Sequence, residues 1–259
     1  MTNTAVEIER RGHVAILRLN RPDAANTIDL DLARALLDAA YRIQADAGVR
    51  AAVLTGAGSS FCFGGDLRGM MATGGEITPF LRELTATLHA AVAQLARMDA
   101  PLIAAVNGTT AGAGIGLVAL ADLAVAAESA KFSLAYTGVG LTPDGGTSFL
   151  LPRLVGTKRA MELLLTNRAL TAAEARDWGL LNEVVPDAEV LPRALAIAER
   201  LAAGPVGAFG RTKRLIAAAN GALETHMALE SENIAQQGGT AEGREGIQAF
   251  LGKRKPKYV

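Results

Sequence analysis

The 259-residue sequence predicts an α/β core followed by a helix-only segment. Three observations predict it. Short apolar strands alternate with amphipathic helices through about residue 185, those strands repeatedly end on glycine loops, and beyond Pro186 helical periodicity alone remains.

In chain order, residues 5–10 and 13–19 read as two strands around the turn Arg11-Gly12, with Val14, Ile16, Leu17 and Leu19 as their apolar content. Arg21-Pro22-Asp23 breaks the sheet. Asp29 is placed to cap a helix that carries Leu32, Leu36, Leu37, Ala40 and Ile43 at helical spacing. Ala51-Ala-Val-Leu-Thr55 is a buried strand running into a glycine loop from Gly56 to Gly65. A helix over about 79–98 shows the stripe Phe80, Leu84, Leu88, Val92 and Leu95. Residues 101–106 form another buried strand, followed by a Gly-rich stretch at 108–116 and a short apolar helix, and Asp122 opens the next strand. Helices are expected over 190–203, 205–219, 222–236 and 240–251. The division is therefore a core over 1–187 and a helical region over 188–259.

Composition removes several function classes. The 26 basic and 26 acidic residues cancel, so the basic excess of a nucleic-acid binder is missing. With one cysteine, Cys62, neither an internal disulfide nor a cysteine-based zinc cluster can form. His13, His89 and His226 are far apart and form no metal-binding pattern, so no metal is expected. The N-terminus lacks a basic start and an apolar signal core, and no apolar stretch reaches spanning length, so a soluble, cytoplasmic protein without membrane contact is expected.

Two glycine loops carry the candidate chemistry: Phe61-Cys-Phe-Gly-Gly-Asp-Leu67, and Asn107-Gly-Thr-Thr-Ala-Gly-Ala-Gly-Ile-Gly116. Each lies between a strand and a helical sequence, where backbone N–H groups have no intrahelical partner and small residues let a ligand oxygen approach. A tight turn is the plain alternative. Gly114-x-Gly116-x-x-Ala119 also fits a degenerate dinucleotide fingerprint, but no acidic residue lies near position 139 and no G-K-[ST] follows either loop.

Together these loops resemble the enoyl-CoA hydratase/isomerase (crotonase) family. The resemblance extends through Arg21-Pro-Asp-Ala-Ala-Asn26, Ser129-Ala-Lys-Phe132, Gly140-Leu-Thr-Pro-Asp-Gly-Gly-Thr147, Leu151-Pro-Arg-Leu-Val-Gly156, Trp178-Gly-Leu180 and Arg244-Glu-Gly-Ile-Gln-Ala-Phe250, in order along nearly the whole chain. It implies a spiral of ββα units with a C-terminal helical region used for trimer or hexamer formation. The implied chemistry is activation of an acyl-CoA thioester, in fatty or aromatic acid catabolism, with coenzyme A as part of the substrate and no separate cofactor. Carried over by position, the oxyanion donors are the N–H groups of Gly65 and Ala113. Substrate contacts fall on Ala24, Ala25, Asn26, Gly64, Asp66, Leu67, Gly112, Tyr136 and Leu141.

Hydratase-type glutamates would fall at positions 116 and 136, where this chain has Gly116 and Tyr136. Asp144 instead occupies the carboxylate position of the family's isomerases, 1,2-epoxyphenylacetyl-CoA isomerase among them. One carboxylate suffices to move a double bond. A helix cap ahead of Gly-Gly-Thr-Ser is the structural alternative for Asp144. His89 matches the base, and Asp144 the nucleophile, of 4-chlorobenzoyl-CoA dehalogenase, although Tyr136 stands where that enzyme has tryptophan. The favoured expectation is an enoyl-CoA isomerase. Hydratase, dehalogenase-like hydrolase and non-catalytic acyl-CoA binder are the alternatives. Cys62 reads as packing, Asp66 as a brace for its loop, and Lys253–Lys257 as solvated charge or a phosphate contact.

Overall fold

The computed structural model describes residues 4–73, 77–219, 227, 231, 233, 236–237 and 240–258. It begins with a hairpin: β1 (Val6–Arg11) pairs antiparallel with β2 (Val14–Leu19), turning at Gly12, whose φ of 57° suits a residue without a Cβ. α1 (Leu30–Ala45) follows, with the Asp29 carboxylate accepting the Leu32 N–H at 2.8 Å as its N-cap. Its Leu32, Leu36, Ala40 and Ile43 are buried, as their spacing predicts.

The middle of the chain winds as a spiral. β3 (Ala51–Gly56) lies beside β2 in the large sheet, β4 (Ser60–Cys62) turns into a small sheet, and α2 (Leu67–Met71) and α3 (Ile77–Arg97) complete the turn. β5 (Leu102–Val106), β6 (Thr109–Ala111) and α4 (Ala113–Leu120) repeat the path. A third turn has β7 (Leu123–Ala127), β8 (Lys131–Ser133), α5 (Thr147–Val155) and α6 (Thr157–Thr166). β9 (Leu170–Thr171), α7 (Ala172–Asp177) and β10 (Glu183–Val185) close the core.

The sheet orders are therefore β1-β2-β3-β5-β7-β10 and β4-β6-β8-β9. Pairing within the spiral is parallel, and among the described residues only the β1–β2 and β8–β9 pairs are antiparallel. This is the ββα spiral expected above. The central strands of the large sheet, β3, β5 and β7, are largely apolar because helices cover them: Val53, Leu54, Ile103, Ala104, Val125 and Ala126 are fully buried.

After β10, α8 (Val190–Ala202) packs on β3, β5 and β7 through its buried Val190, Ala194, Ile197 and Ala198. Arg50 ties its end to the sheet, donating to the carbonyls of Ala202 at 2.6 Å and Gly204 at 2.8 Å. The first helix of the helix-only segment is thus a covering layer of the core. α9 (Val206–Ala218) and α10 (Ala241–Leu251) follow, each within a residue or two of its predicted span. The helix predicted over 222–236 falls almost entirely outside the described residues. Among the described residues no helix is long and apolar enough to cross a membrane.

Candidate active site

The spiral brings the two glycine loops together, because β4 and β6 are parallel neighbours and both loops leave them in the same direction. In the first loop, Gly64 O accepts the Ile28 N–H at 2.7 Å and the Asp66 N–H donates to Ile28 O at 3.0 Å. These two bonds form an isolated parallel bridge between Ile28 and Gly65. In such a bridge the central residue's own N–H points away from its partner. The Gly65 N–H is therefore directed out of the bridge, and Gly65 lines a cavity of about 560 Å³.

In the second loop, the Gly112 N–H donates to Ser133 O at 3.0 Å, and Ala113 is the first residue of α4. Its N–H has no intrahelical carbonyl to reach. Gly64 (φ 80°) and Gly112 (φ 50°) occupy backbone regions that side chains disfavour. The loops also touch backbone to backbone. A Cβ on Gly64 would come within 3.0 Å of Ala111 O, and one on Gly114 within 2.4 Å of Cys62 O. Glycine at 64 and 114 is thus what lets the two loops close on one another.

Asp144 faces the same cavity, as do Leu134, Tyr136 and Leu141. It is the one carboxylate lining it among the described residues. The Tyr136 hydroxyl donates to Asp144 Oδ1 at 2.7 Å and lies 3.4 Å from Thr147 Oγ1. Burial, reinforced by the Asp144 carboxylate, pushes the pKa of this phenol well above its usual range, so the oxygen keeps its proton and remains a donor. Asp144 does not cap α5: the N-cap is Gly146, with no side-chain bond. The cap alternative for Asp144 is therefore excluded, and its carboxylate is committed to Tyr136 and the cavity.

His89 comes next to this loop from α3, but its Nε2 accepts the Gly145 N–H at 3.1 Å and its side chain is not among those lining the cavity. Accepting that bond places the ring proton on Nδ1. His89 thus holds the backbone beside Asp144, a placement that counts against its acting as a base toward a ligand in the cavity.

Gly116 has no room for a side chain. A Cβ there would lie 2.7 Å from both Gly145 O and Thr147 Oγ1. Gly114 and Gly116 are used to pack against Cys62 and Gly145, which removes the dinucleotide alternative. Installing the hydratase-type acid, Gly116→Glu, should cost about 2 kcal/mol in stability by forcing the Asp144 loop outward. It should also bring no gain in enoyl-CoA hydration. Urea unfolding and a hydration assay check this, and a fully stable, hydrating variant would contradict it.

Ala24 ends a short 3-10 turn, Ala25 (φ 50°) and Asn26 (φ 55°) are left-handed and support the first loop, and none of the three lines the cavity. Ala25 O accepts the Phe63 N–H at 3.1 Å. The fully buried Asn26 accepts the Arg21 N–H at 2.9 Å and donates to Ala57 O at 2.9 Å and Ser60 O at 2.8 Å. Asp66 braces the loop by accepting the Gly69 N–H at 3.0 Å and an Arg21 N–H at 3.2 Å. The Gly69 N–H, with help from Arg21, holds its carboxyl below the usual range. Leu67 lines the cavity and is exposed.

Burial raises the Cys62 thiol to about 12, so it packs as a neutral group. Near the tail, Arg254 is bound to Glu245 of α10 at 2.6 Å. Two features escaped sequence reasoning. Asn107 buttresses the first loop, accepting the Gly56 N–H at 3.0 Å and donating to Gly58 O at 2.9 Å. Arg82 lines the cavity, and its position one residue along from Leu81 on the helical pattern was the available signal.

Comparison with known proteins agrees with this geometry. Residues 9–259 match the family described as enoyl-CoA hydratase/isomerase. The chain is 37% identical over 248 residues to 1,2-epoxyphenylacetyl-CoA isomerase of Escherichia coli K12, covering 95% of each chain. It is 37% identical over 250 residues to 4-chlorobenzoyl coenzyme A dehalogenase-2 of Arthrobacter, covering 96% of this chain and 91% of that one. The crystal structure of an enoyl-CoA hydratase from Polaromonas sp. JS666 superimposes with a TM-score of 0.94 at 34% identity, covering 98% of this chain and 99% of that chain. With a matching fold, paired glycine loops and a match along almost its whole length, the chain belongs to the enoyl-CoA hydratase/isomerase family, whose members act on acyl-CoA thioesters.

Proposed function

We propose that this acyl-CoA enzyme shifts a double bond, converting a 3-enoyl into a 2-enoyl thioester, with Asp144 as the proton-transfer residue. The observation that carries the reading is that Asp144 is the one carboxylate facing the cavity among the described residues. Its Oδ1 is taken by the Tyr136 hydroxyl, which leaves Oδ2 for the substrate. That oxygen takes a proton from C2, and the electron pair moves toward the thioester carbonyl. The N–H groups of Gly65 and Ala113 receive the negative oxygen, stabilising the dienolate more than the ground state. Returning the proton to C4 completes the shift, and the carboxylate ends as it began.

Hydration needs a second group to handle water, and Gly116 and Tyr136 offer no carboxylate for it. The dehalogenase-like reading needs a base toward the cavity, and His89 is bound to Gly145 instead. A panel of 2-enoyl-, 3-enoyl- and 4-chlorobenzoyl-CoA thioesters, followed by mass and ultraviolet absorption, tests the reading. Double-bond migration without mass change is expected. Faster water addition or chloride release would overturn it.

Assembly into a trimer or hexamer is part of the same proposal. Phe149, Leu154, Met161 and Leu165 of α5 and α6 are exposed apolar side chains on the isolated chain, the kind of surface that subunit association covers. Light scattering at micromolar concentration should give at least three times the chain mass, and a monomer mass would contradict this.

A further inference from the structure

One wall of the cavity is a face of α3. Thr78, Leu81, Arg82 and Thr85 recur at helical spacing and all line it. Farther along the same helix, Leu88 and Val92 lie within van der Waals reach of the positions where side chains on Gly145 and Gly146 would sit. The cavity therefore extends along α3 from the Asp144 loop toward the helix N-terminus. Arg82 stands two turns before His89, about 11 Å along the axis.

Elsewhere the lining carries the apolar Leu134, Val139 and Leu141. Arg82 is the one cation on the lining among the described residues. It also makes no ion pair or hydrogen bond through its guanidinium with any described residue. No acid stands three or four residues away from it on the helix, and its neighbour Glu83 is bound to Arg34 of α1 at 2.7 Å. An exposed guanidinium on the lining of this cavity, without a partner among the described residues, is free to take a planar two-oxygen anion.

We propose that Arg82 makes this site selective for acyl-CoA thioesters whose acyl chain ends in a carboxylate. The inference rests on the reading of the cavity as the acyl site, and it names the substrate class. The apolar lining holds the methylene chain, the two loops hold the thioester, and Arg82 binds the distal carboxylate.

Binding of unreactive saturated thioesters tests this independently of turnover. Octanoyl-CoA and 7-carboxyheptanoyl-CoA, of equal chain length, are titrated calorimetrically into the wild-type protein and into Arg82→Gln and Arg82→Lys. The wild type should bind the carboxylated thioester roughly three- to fivefold tighter, as a solvent-reachable charged pair allows. The ratio should fall toward one in Arg82→Gln and be partly kept in Arg82→Lys. A wild-type ratio near one would overturn the proposal. So would an Arg82→Gln variant that weakens both thioesters equally, because Arg82 would then be serving the coenzyme A arm. A preference that survives in an enzyme found not to isomerise would leave Arg82's role standing and remove the double-bond shift alone.

Discussion

Asp144→Asn should lower isomerisation of a 3-enoyl-CoA by about three orders of magnitude while leaving thioester binding nearly intact. The size follows from the absence of a substitute. Among the described residues no other carboxylate lines the cavity, and the Cys62 thiol is neutral and buried. The substitution is also geometrically mild. An asparagine Oδ1 can still accept the Tyr136 hydroxyl, now held at 2.7 Å, and Thr147 N–H keeps its bond to the residue-144 carbonyl at 3.0 Å. Loss of turnover with a retained Kd for a saturated thioester is therefore a loss of proton transfer. Single-turnover kinetics with calorimetric binding check it, and near-normal turnover in the variant would remove Asp144 from the chemistry.

Ala113→Pro should cost roughly a hundred- to a thousandfold in turnover, the range for deleting one oxyanion donor. Proline is a harsh substitution in most helices, but here it falls on the first residue of α4, where the N–H has no intrahelical role and the fixed φ is well tolerated. The preceding residue, Gly112, has no Cβ to clash with the proline ring. The variant should thus fold, and its defect should lie in turnover more than in binding. A folded variant with near-wild-type turnover would show that the Ala113 N–H does not face the developing charge.

Much of this was legible in the sequence because it rests on local pattern. The stripe Leu84, Leu88 and Leu95 marks α3, Asp29 marks the start of α1, and apolar runs at 51–55 and 101–106 mark β3 and β5. The small sheet was hidden. β4, β6 and β8 have three residues each, too short for any period to register, and β4 and β6 also lie in or beside glycine-rich stretches. The docking of α8 on the core was hidden as well, since an amphipathic helix shows a buried face without showing what covers it.

The site divides in the same way. Gly64, Gly65, Gly112 and Ala113 stand out as strand-to-helix loops, and Asp144 as a carboxylate amid turn formers. That Asn26 faces inward rather than toward the cavity follows from where Ser60 and Ala57 lie in space, which no spacing encodes. The pairing of Tyr136 with Asp144, eight residues apart across an irregular turn, is equally a matter of three dimensions.

The central claim is that a lone carboxylate moves a double bond instead of adding water. The most direct measurement gives the wild-type enzyme 3-hexenoyl-CoA and 2-hexenoyl-CoA separately in heavy water, and follows conjugation at the thioester, deuterium content and product mass. The account predicts that 3-hexenoyl-CoA becomes the conjugated thioester much faster than 2-hexenoyl-CoA gains the elements of water, with deuterium entering C4 to the extent that the Asp144 proton exchanges before its return. Hydration of 2-hexenoyl-CoA faster than migration in 3-hexenoyl-CoA would contradict it.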